Sequence, residues 1–435
     1  MAGTADRRVN DAEFGIWGAS APTAPDLARL EGPLDCETAI VGAGYTGLST
    51  ALHLAERGER CVVIEASEPG SGASGRNTGW LEPNWWQKKP SDIDKLFGTE
   101  RGRTLTRWVA SGPQLLDRLV AQYGLNVELE RCGLLLGTDN AEKAAAMESE
   151  AWEWQAAGVR HEFLDAAGVA RHIATGRYRG GLFLESGAVL NPLALSRELA
   201  RACLRAGAEI FAHTPVLALS RNGNRWELRT DRGIVRCRRL VLATESYTRN
   251  LWPELERTFA TWHLAVVGSR PYEMLDALLP TGVAFADMGL ANIFTMRRAS
   301  GGRLVTSTFA TLRSTRNAAV VAEPYMRKFR RIFPDRPPPA WEFAHSGEIG
   351  LSRDMMPRLA AIGPQAWTAY GYSGTGMNLA LLLGAELANL VQKDDVNASC
   401  FPVTRLEPMP MRRLIGWGLR YLHGPLSRAL ISRIA

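Results

Sequence analysis

The stretch TAIVGAGYTGLSTALHLAERGERCVVIEA, residues 38–66, decides the fold of this chain. The apolar run 38–41 predicts a strand, the apolar residues after Leu48 recur at helical spacing, and 61–64 predicts a second strand. Between the first strand and the helix, residues Gly42 to Gly47 have the pattern G-x-G-x-x-G. Such glycines allow a tight turn, the approach of a pyrophosphate to the backbone, and close helix–strand packing.

Glu65 ends the second strand, 18 residues after Gly47. An acid at this position accepts hydrogen bonds from a ribose diol, which favours FAD or NAD over NADP. The N-terminus of the intervening helix adds free N–H groups and a partial positive charge for the phosphates. The unit therefore predicts a dinucleotide-binding domain.

Two further glycine clusters distinguish between the dinucleotides. Residues 70–79 (GSGASGRNTG) follow the ribose acid and offer donors that continue along the pyrophosphate toward a flavin ring. Residues 371–376 (GYSGTG) open a helix whose N–H groups could stabilise negative charge at the N1/C2=O edge of a reduced flavin. A nicotinamide enzyme has no such requirement, so the pattern favours FAD.

Composition limits the other function classes. The 435 residues include 51 lysines and arginines against 45 acids, and only six of the 51 are lysines. Basic and acidic residues are interleaved without a nucleic-acid motif, so we expect no nucleic-acid partner. Six separated cysteines and the lack of a leader peptide predict a reduced, cytoplasmic protein without a structural metal.

The rest of the chain predicts an α/β fold of two domains that share the sequence discontinuously. Helices are expected near 104–122, 141–157 and 192–206, and strands at 208–211, 216–219, 225–229 and 240–244. The first residues, rich in proline, predict an extended arm on the surface with no core of its own. The expected division is an arm at 1–35, an FAD-binding domain at 36–90, 150–248 and 340–395, a substrate domain at 91–149 and 249–339, and a basic helical tail at 396–435.

Nearly the whole chain resembles the FAD-dependent amine and amino-acid oxidoreductases of the D-amino-acid oxidase superfamily, and most closely its γ-glutamylputrescine oxidase-like branch. The resemblance implies a glutathione-reductase-like Rossmann domain, a substrate domain on a mixed sheet, and a flavin buried between them. It also implies hydride transfer from the carbon bearing an amine to flavin N5, and hydrolysis of the imine. The motifs that carry it are Trp17, 42–47 with Glu65, 73–77, Asn191-Pro192, 214–216, Ala243-Thr244, Arg297 with Arg303, 347–357 and 371–376.

The clusters and the resemblance together predict a set of FAD contacts, with the adenine near Val216. The set is Gly42, Ala43, Gly44, Tyr45, Thr46, Gly47, Glu65, Ala66, Gly72, Ala73, Ser74, Arg76, Asn77, Thr78, Val216, Ala243, Thr244, Gly371, Gly374, Thr375, Gly376 and Met377.

Four departures from the branch fall in segments that the family places near the flavin. Trp80 stands where relatives have Gln, Thr375 where they have His, His345 in place of a Trp, and Ser307-Thr308 in place of a glycine pair. We therefore expect a substrate that differs from that of the close relatives.

The expected catalytic residues are His345, Arg297, Thr375 and Trp80. An imidazole at 345 could help a substrate ammonium lose its proton, or could only fill the vacated Trp volume. Arg297, like Arg76, could bind a substrate carboxylate or offset flavin charge, or could form a structural ion pair. Trp80, Trp85 and Trp86 could form an aromatic wall, or pack a loop on the core.

The resemblance also bears on how the cofactor is held and reoxidised. The chain lacks the Cys and His residues through which relatives tether the flavin, so we expect non-covalent FAD. It has no lysine from 144 to 327, where sarcosine oxidases have their oxygen-activating lysine. Reoxidation by O2, electron transfer to a quinone or carrier protein, and a non-catalytic flavoprotein remain three alternatives. For the tail from Met411, packing on the FAD domain is favoured over contact with a membrane surface.

Overall fold

Two large sheets and a two-stranded ribbon organise the protein in the computed structural model, which describes residues 11–287, 294–309 and 317–421. The strands are β1 (Leu34–Val41), β2 (Cys61–Ile64), β3 (Trp80–Leu81), β4 (Leu134–Thr138), β5 (His161–Asp165), β6 (Gly180–Leu184), β7 (Ala188–Val189), β8 (Glu209–Phe211), β9 (Ala218–Asn222), β10 (Arg225–Arg229), β11 (Ile234–Leu242), β12 (Phe259–Pro271), β13 (Ala284–Asp287), β14 (Phe294–Ala299), β15 (Arg303–Phe309), β16 (Trp341–Ser352), β17 (Arg358–Gly363), β18 (Ala366–Tyr370) and β19 (Val403–Thr404). The helices are α1 (Tyr45–Ala55), α2 (Pro90–Phe97), α3 (Thr99–Ala110), α4 (Gly112–Tyr123), α5 (Ala141–Ala156), α6 (Ala166–His172), α7 (Pro192–Arg205), α8 (Pro253–Glu256), α9 (Leu275–Leu278), α10 (Ala318–Ile332), α11 (Gly376–Lys393) and α12 (Arg412–Tyr421).

The first sheet has the order β19-β17-β18-β11-β1-β2-β8, with β10 and β9 added at β11. Its central strands are parallel, and Ile40 of β1 pairs with Val63 on one side and Val241 on the other. These three side chains pack with α1, α7 and α11, whereas their alternate neighbours pack beneath the β9–β10 hairpin, against residues such as Trp226. Because the carboxyl half of β1 is covered on both faces, its residues Ala39 to Val41 are all apolar, as predicted for a central Rossmann strand.

The second sheet has the order β16-β12-β15-β14-β13-β4-β6-β5, and β13 with β4 is its parallel pair. One face packs against α10, whose Tyr325 and Phe329 are fully buried. The mixed character confirms the predicted second sheet. Strands within 161–184 and β16 pair here, although the expected division placed 150–248 and 340–395 in the FAD-binding domain.

The expectation of an amino-terminal arm without a core is wrong. Phe14, Ile16 and Trp17 are at most 4% exposed and pack against the start of α7 and the second sheet. The Trp17 indole N–H donates to the carbonyl of Asn77 at 2.8 Å. The side-chain amide of Asn191 donates to the Trp17 carbonyl at 3.1 Å. Prolines from Pro22 onward keep the arm extended, but the large apolar residues that precede them still bury their surface.

The carboxy-terminal segment also differs from expectation. Helix α12 packs on β12, and Ile415 is buried with Ala260, Leu351 and Met355. From Met411 onward the tail therefore lies on the second sheet, whereas β19, earlier in the expected tail, pairs in the first sheet. Residues 422–435 fall outside the described ranges. In the described part of the chain, no helix combines the length and the apolar character needed to span a bilayer.

Local differences have local causes. The predicted helix at 104–122 is two helices that meet at Ser111, and Pro113 stands in the first turn of the second. A proline is tolerated there because no intrahelical donor is lost. Val216 precedes β9, which begins at Ala218, so the expected strand at 216–219 is displaced toward the hairpin.

Candidate cofactor and active site

A cavity of about 610 Å³ lies where the parallel strands of the first sheet end. Gly42 follows β1, Glu65 follows β2 and Ala243 follows β11, so the carboxyl ends of adjacent strands form one wall. This edge is where doubly wound sheets bind ligands. The predicted residues that line the cavity are Gly42, Gly44, Tyr45, Thr46, Glu65, Ala66, Gly72, Ala73, Ser74, Asn77, Thr78, Trp80, Val216, Ala243, Thr244, Gly374, Gly376 and Met377.

The first glycine cluster joins β1 to α1, and the turn leaves no room for a side chain at its glycines. Gly42 has a φ of +104°, and a Cβ on Gly47 would lie 1.9 Å from the Gly42 carbonyl oxygen. Gly44 is the N-cap residue of α1, and no side chain caps the helix there. Gly47 and Ala43 are not among the lining residues, so their part is to shape the turn. The arrangement leaves the first turn of α1 facing the cavity.

Glu65 is held by the turn that it faces. Its carboxylate accepts the Ala43 N–H at 2.7 Å and the Ser67 N–H at 2.9 Å. Burial raises the pKa of this carboxyl group, and the two backbone N–H groups oppose that rise. Each oxygen accepts one protein hydrogen bond and keeps a lone pair for a ligand hydroxyl.

The second cluster is a loop tied together by its own polar side chains. The Arg76 guanidinium donates to the carbonyls of Ser71 at 2.9 Å and Glu13 at 2.7 Å, and lies 4.6 Å from the centre of the Phe14 ring. Arg76 therefore secures the loop and does not line the cavity. The Ser74 hydroxyl accepts the N–H of Tyr45 at 3.0 Å, which joins the loop to α1.

The third cluster turns sharply into α11. Gly371 has a φ of +78° and Gly374 a φ of +120°, and Thr375 is the N-cap residue. The Thr375 hydroxyl donates to the Tyr372 carbonyl at 3.3 Å, so Thr375 shapes this turn; Gly371 and Thr375 lie behind the cavity wall. The hydroxyls of Tyr372 and Thr46 are 2.5 Å apart, which brings the N-termini of α11 and α1 to the same cavity.

The Arg297 guanidinium donates its hydrogen bonds to backbone carbonyls of the protein. Its Nη1 donates to the carbonyls of Thr78, Gly79 and Leu190 at 3.0, 3.1 and 2.8 Å. Its guanidinium lies 5.0 Å from the centre of the Trp17 ring, and burial lowers its pKa to about 10. Arg297 is not among the residues that line the cavity. It clamps the second glycine loop to the segment before α7.

His345 lies on β16, 4% exposed and outside the cavity lining. Its ring packs edge-on against Trp17, with centroids 6.5 Å apart. Neither ring nitrogen has a hydrogen-bond partner among residues 11–287, 294–309 and 317–421. Burial, aided by the charge of Arg76, lowers its pKa to about 3. The placement supports the space-filling alternative.

The three tryptophans separate in the structure. Trp80 lines the cavity and is 6% exposed. Trp85 stacks on Trp108 in the core, with ring centroids 6.2 Å apart. Trp86 lies behind Gly374, whose added Cβ would be 3.8 Å from the indole. The wall at this end of the cavity is therefore Trp80 together with the α11 turn.

Sequence reasoning missed two acids on the cavity wall, Glu82 and Glu245. Glu245 has a φ of +38° and accepts the N–H groups of Ser246 at 2.5 Å and Gly371 at 3.4 Å, and its burial raises its pKa. The available signal for Glu82 was an acid between Leu81 and Pro83, two residues after the expected wall residue Trp80. The signal for Glu245 was an acid directly after the expected strand at 240–244.

These features fit FAD. A Cβ at Gly47 would clash with the backbone of the turn that forms the cradle, Glu65 keeps lone pairs on the wall, and two helix N-termini face one cavity. The family described as FAD dependent oxidoreductase matches residues 37–390.

Known proteins agree with this match. The chain is 27% identical over 403 residues to gamma-glutamylputrescine oxidoreductase of Escherichia coli (strain K12), covering 92% of this chain and 93% of that protein. A crystal structure of glycine oxidase from Geobacillus kaustophilus has a TM-score of 0.68 at 21% identity, covering 83% of this chain and 95% of that one. The structure of L-proline dehydrogenase from P. horikoshii has a TM-score of 0.70 at 17% identity, with the same coverage of 83% and 95%.

The family match extends over most of the chain, and the glycine clusters at its cavity are those that the sequence predicted. It confirms the predicted superfamily, fold and cofactor. The chain belongs to the FAD dependent oxidoreductase family and is an enzyme that uses FAD.

Proposed function

We propose that this enzyme oxidises the C–N bond of an amine or an amino acid and holds FAD non-covalently. The observation that carries the proposal is one continuous cavity that runs from Glu65 past the N-termini of α1 and α11 to Trp80. The relatives named above include a gamma-glutamylputrescine oxidoreductase and a glycine oxidase, which supports substrates with a reacting nitrogen.

In this proposal each part of the cofactor has its own set of residues. Gly42, Gly44 and the first turn of α1 would hold the pyrophosphate, Glu65 the adenosine ribose, and Val216 the adenine. The N-terminus of α11 would face the N1/C2=O edge of the ring. FAD supplies the acceptor for the hydride that leaves the carbon next to nitrogen.

The protein's own part is to bind, orient and shield the substrate. Trp80 and the α11 turn form the wall at the end of the cavity opposite the ribose acid. Loss of hydride leaves a C=N bond, which adds water and splits into a carbonyl compound and a free amine or ammonia. His345 and Arg297 stay candidates only for positioning, through Trp17 and the second glycine loop.

The electron acceptor is O2 in this proposal, with a quinone or carrier protein as the alternative. The sequence feature behind the alternative is the absence of lysine from 144 to 327. The cytoplasmic location, the lack of a nucleic-acid partner and the domain boundaries stay predictions.

The test is anaerobic mixing of the holoenzyme with primary, secondary and N-methyl amines and with amino acids. We expect at least one compound to bleach the flavin absorbance. Admission of air then restores the absorbance with stoichiometric hydrogen peroxide if O2 is the acceptor. A flavin that stays oxidised with every compound contradicts the proposed reaction. A flavin that stays reduced in air and is reoxidised only when a quinone is added favours the other acceptor.

A further inference from the structure

Glu82 brings an uncompensated carboxylate to the cavity wall. It follows β3 directly and lies two residues after Trp80, so both side chains project to the same side of an extended segment, and both line the cavity. Among residues 11–287, 294–309 and 317–421, none donates a hydrogen bond to Glu82 or forms an ion pair with it. Burial alone raises its pKa, to about 7. Glu82 is partly exposed to the cavity, and a carboxylate that has lost part of its hydration and has no protein donor is stabilised by a bound cation.

The other charged groups that line the cavity in the described ranges already have partners. Glu65 and Glu245 each accept two backbone N–H groups. Arg249 pairs with Glu348 at 3.1 Å, and 65% of its side chain is exposed. Glu82 is thus the lining carboxylate that keeps its full hydrogen-bonding capacity for a ligand.

The guanidinium groups that could bind a substrate carboxylate are occupied. Arg297 donates to four carbonyls and Arg76 to two, and neither lines the cavity. A carboxylate on the reacting carbon would therefore lie near the Glu82 carboxylate, and the one cation among the lining residues of the described ranges, Arg249, is already paired with Glu348. Like charges that share a shielded site repel each other.

We propose that Glu82 binds the protonated nitrogen of the substrate, with Trp80 packed against the adjoining carbon chain, and that this pair selects amines without a carboxylate on the carbon to be oxidised. The inference rests on the proposed function, because it names the substrate class of the same cavity. An ammonium beside a carboxylate and an aromatic face gains a charged hydrogen bond and a cation–π contact.

The test uses two ligands that cannot be oxidised, because the carbon next to nitrogen carries no hydrogen. tert-Butylammonium is the cation alone, and 2-aminoisobutyrate has a carboxylate in place of one methyl group. Calorimetric titration of the oxidised holoenzyme measures the dissociation constant of each. We expect tert-butylammonium to bind at least about 10-fold more tightly than 2-aminoisobutyrate.

The variant Glu82→Gln keeps the shape and removes the charge. It should weaken binding of tert-butylammonium roughly 10- to 100-fold, and should leave binding of 2-aminoisobutyrate unchanged or tighter. The matched control is Glu148→Gln on the exposed side of α5, which makes the same change in net charge and should bind as the unaltered enzyme does. FAD content, read from the absorbance ratio, shows that each variant is folded.

The outcomes separate the two proposals. Equal binding of tert-butylammonium by Glu82→Gln and by the unaltered enzyme overturns the role of Glu82 while amine oxidation stands. The same holds if the unaltered enzyme binds 2-aminoisobutyrate more tightly than tert-butylammonium. If binding depends on Glu82 but no amine bleaches the flavin, the proposed function is wrong, and the assignment of a substrate class falls with it.

Discussion

Replacement of Arg297 by methionine distinguishes a structural clamp from a substrate-binding arginine. Methionine fills much of the same volume but leaves the carbonyls of Thr78 and Leu190 without the Arg297 donor, whereas the Gly79 carbonyl still accepts the Leu190 N–H at 2.9 Å. A buried acceptor without a partner costs about 1–3 kcal/mol. Because the change also removes a desolvated charge, we expect a net loss of roughly 3–5 kcal/mol of folding free energy.

The assay is thermal unfolding of the FAD-loaded protein, followed by tryptophan and flavin fluorescence. For a chain of 435 residues the expected loss corresponds to a Tm lower by roughly 3–6 °C, together with weaker retention of FAD. Arg229→Met, on the exposed side of β10, is the matched control and should shift Tm by less than about 2 °C. An unchanged Tm in Arg297→Met, combined with a higher KM for acidic substrates alone, would refute the clamp.

Three further changes test the site. Gly47→Ala places a Cβ 1.9 Å from the Gly42 carbonyl oxygen, so the purified protein should lack the yellow colour of FAD. The control Gly176→Ala places a Cβ with no atom within 4 Å, so that protein should keep the colour. His345→Phe should change the free energy of unfolding by less than about 1 kcal/mol, because the ring nitrogens of His345 have no partner in the described ranges. It should also leave the pH–rate profile unaltered, because burial holds the pKa of His345 at about 3. Loss of the acidic limb of that profile would count against this. Glu82 has a folded pKa of about 7, above its ordinary value of 4.5, so without amine Glu82→Gln should match the unaltered Tm at low pH. The variant should then become more stable by about 1–3 kcal/mol as pH rises through 7; Tm curves that stay parallel from acidic to alkaline pH would contradict it.

The parts that could be predicted from sequence are local. The unit 38–66 holds two strands, a helix, the glycine turn and the ribose acid within one short segment, so spacing alone fixes the geometry of Glu65 against Gly42. The turn into α11 is equally local, and the glycines at 371–376 predicted that a helix begins there. Short-range motifs succeed because their partners lie within a few residues or across one strand pair.

The roles of the buried charged residues could not be predicted, because their partners are distant in sequence. Arg297 meets carbonyls 107 to 219 residues away, and Trp17 donates to Asn77 across 60 residues. A guanidinium in a site motif looks the same in the sequence whether it faces a ligand or a carbonyl. Glu82 was missed for the converse reason, since a lack of partners is visible only in three dimensions.

The central claim is that this cavity removes hydride from a carbon next to nitrogen, and one measurement tests it most directly. The holoenzyme is mixed anaerobically, in a single turnover, with an amine substrate and with the same amine deuterated at the carbon next to nitrogen. The account predicts bleaching of the flavin with both, slower for the deuterated amine, and formation of the corresponding carbonyl compound. A flavin that stays oxidised with every amine and amino acid that carries a hydrogen on that carbon would contradict it.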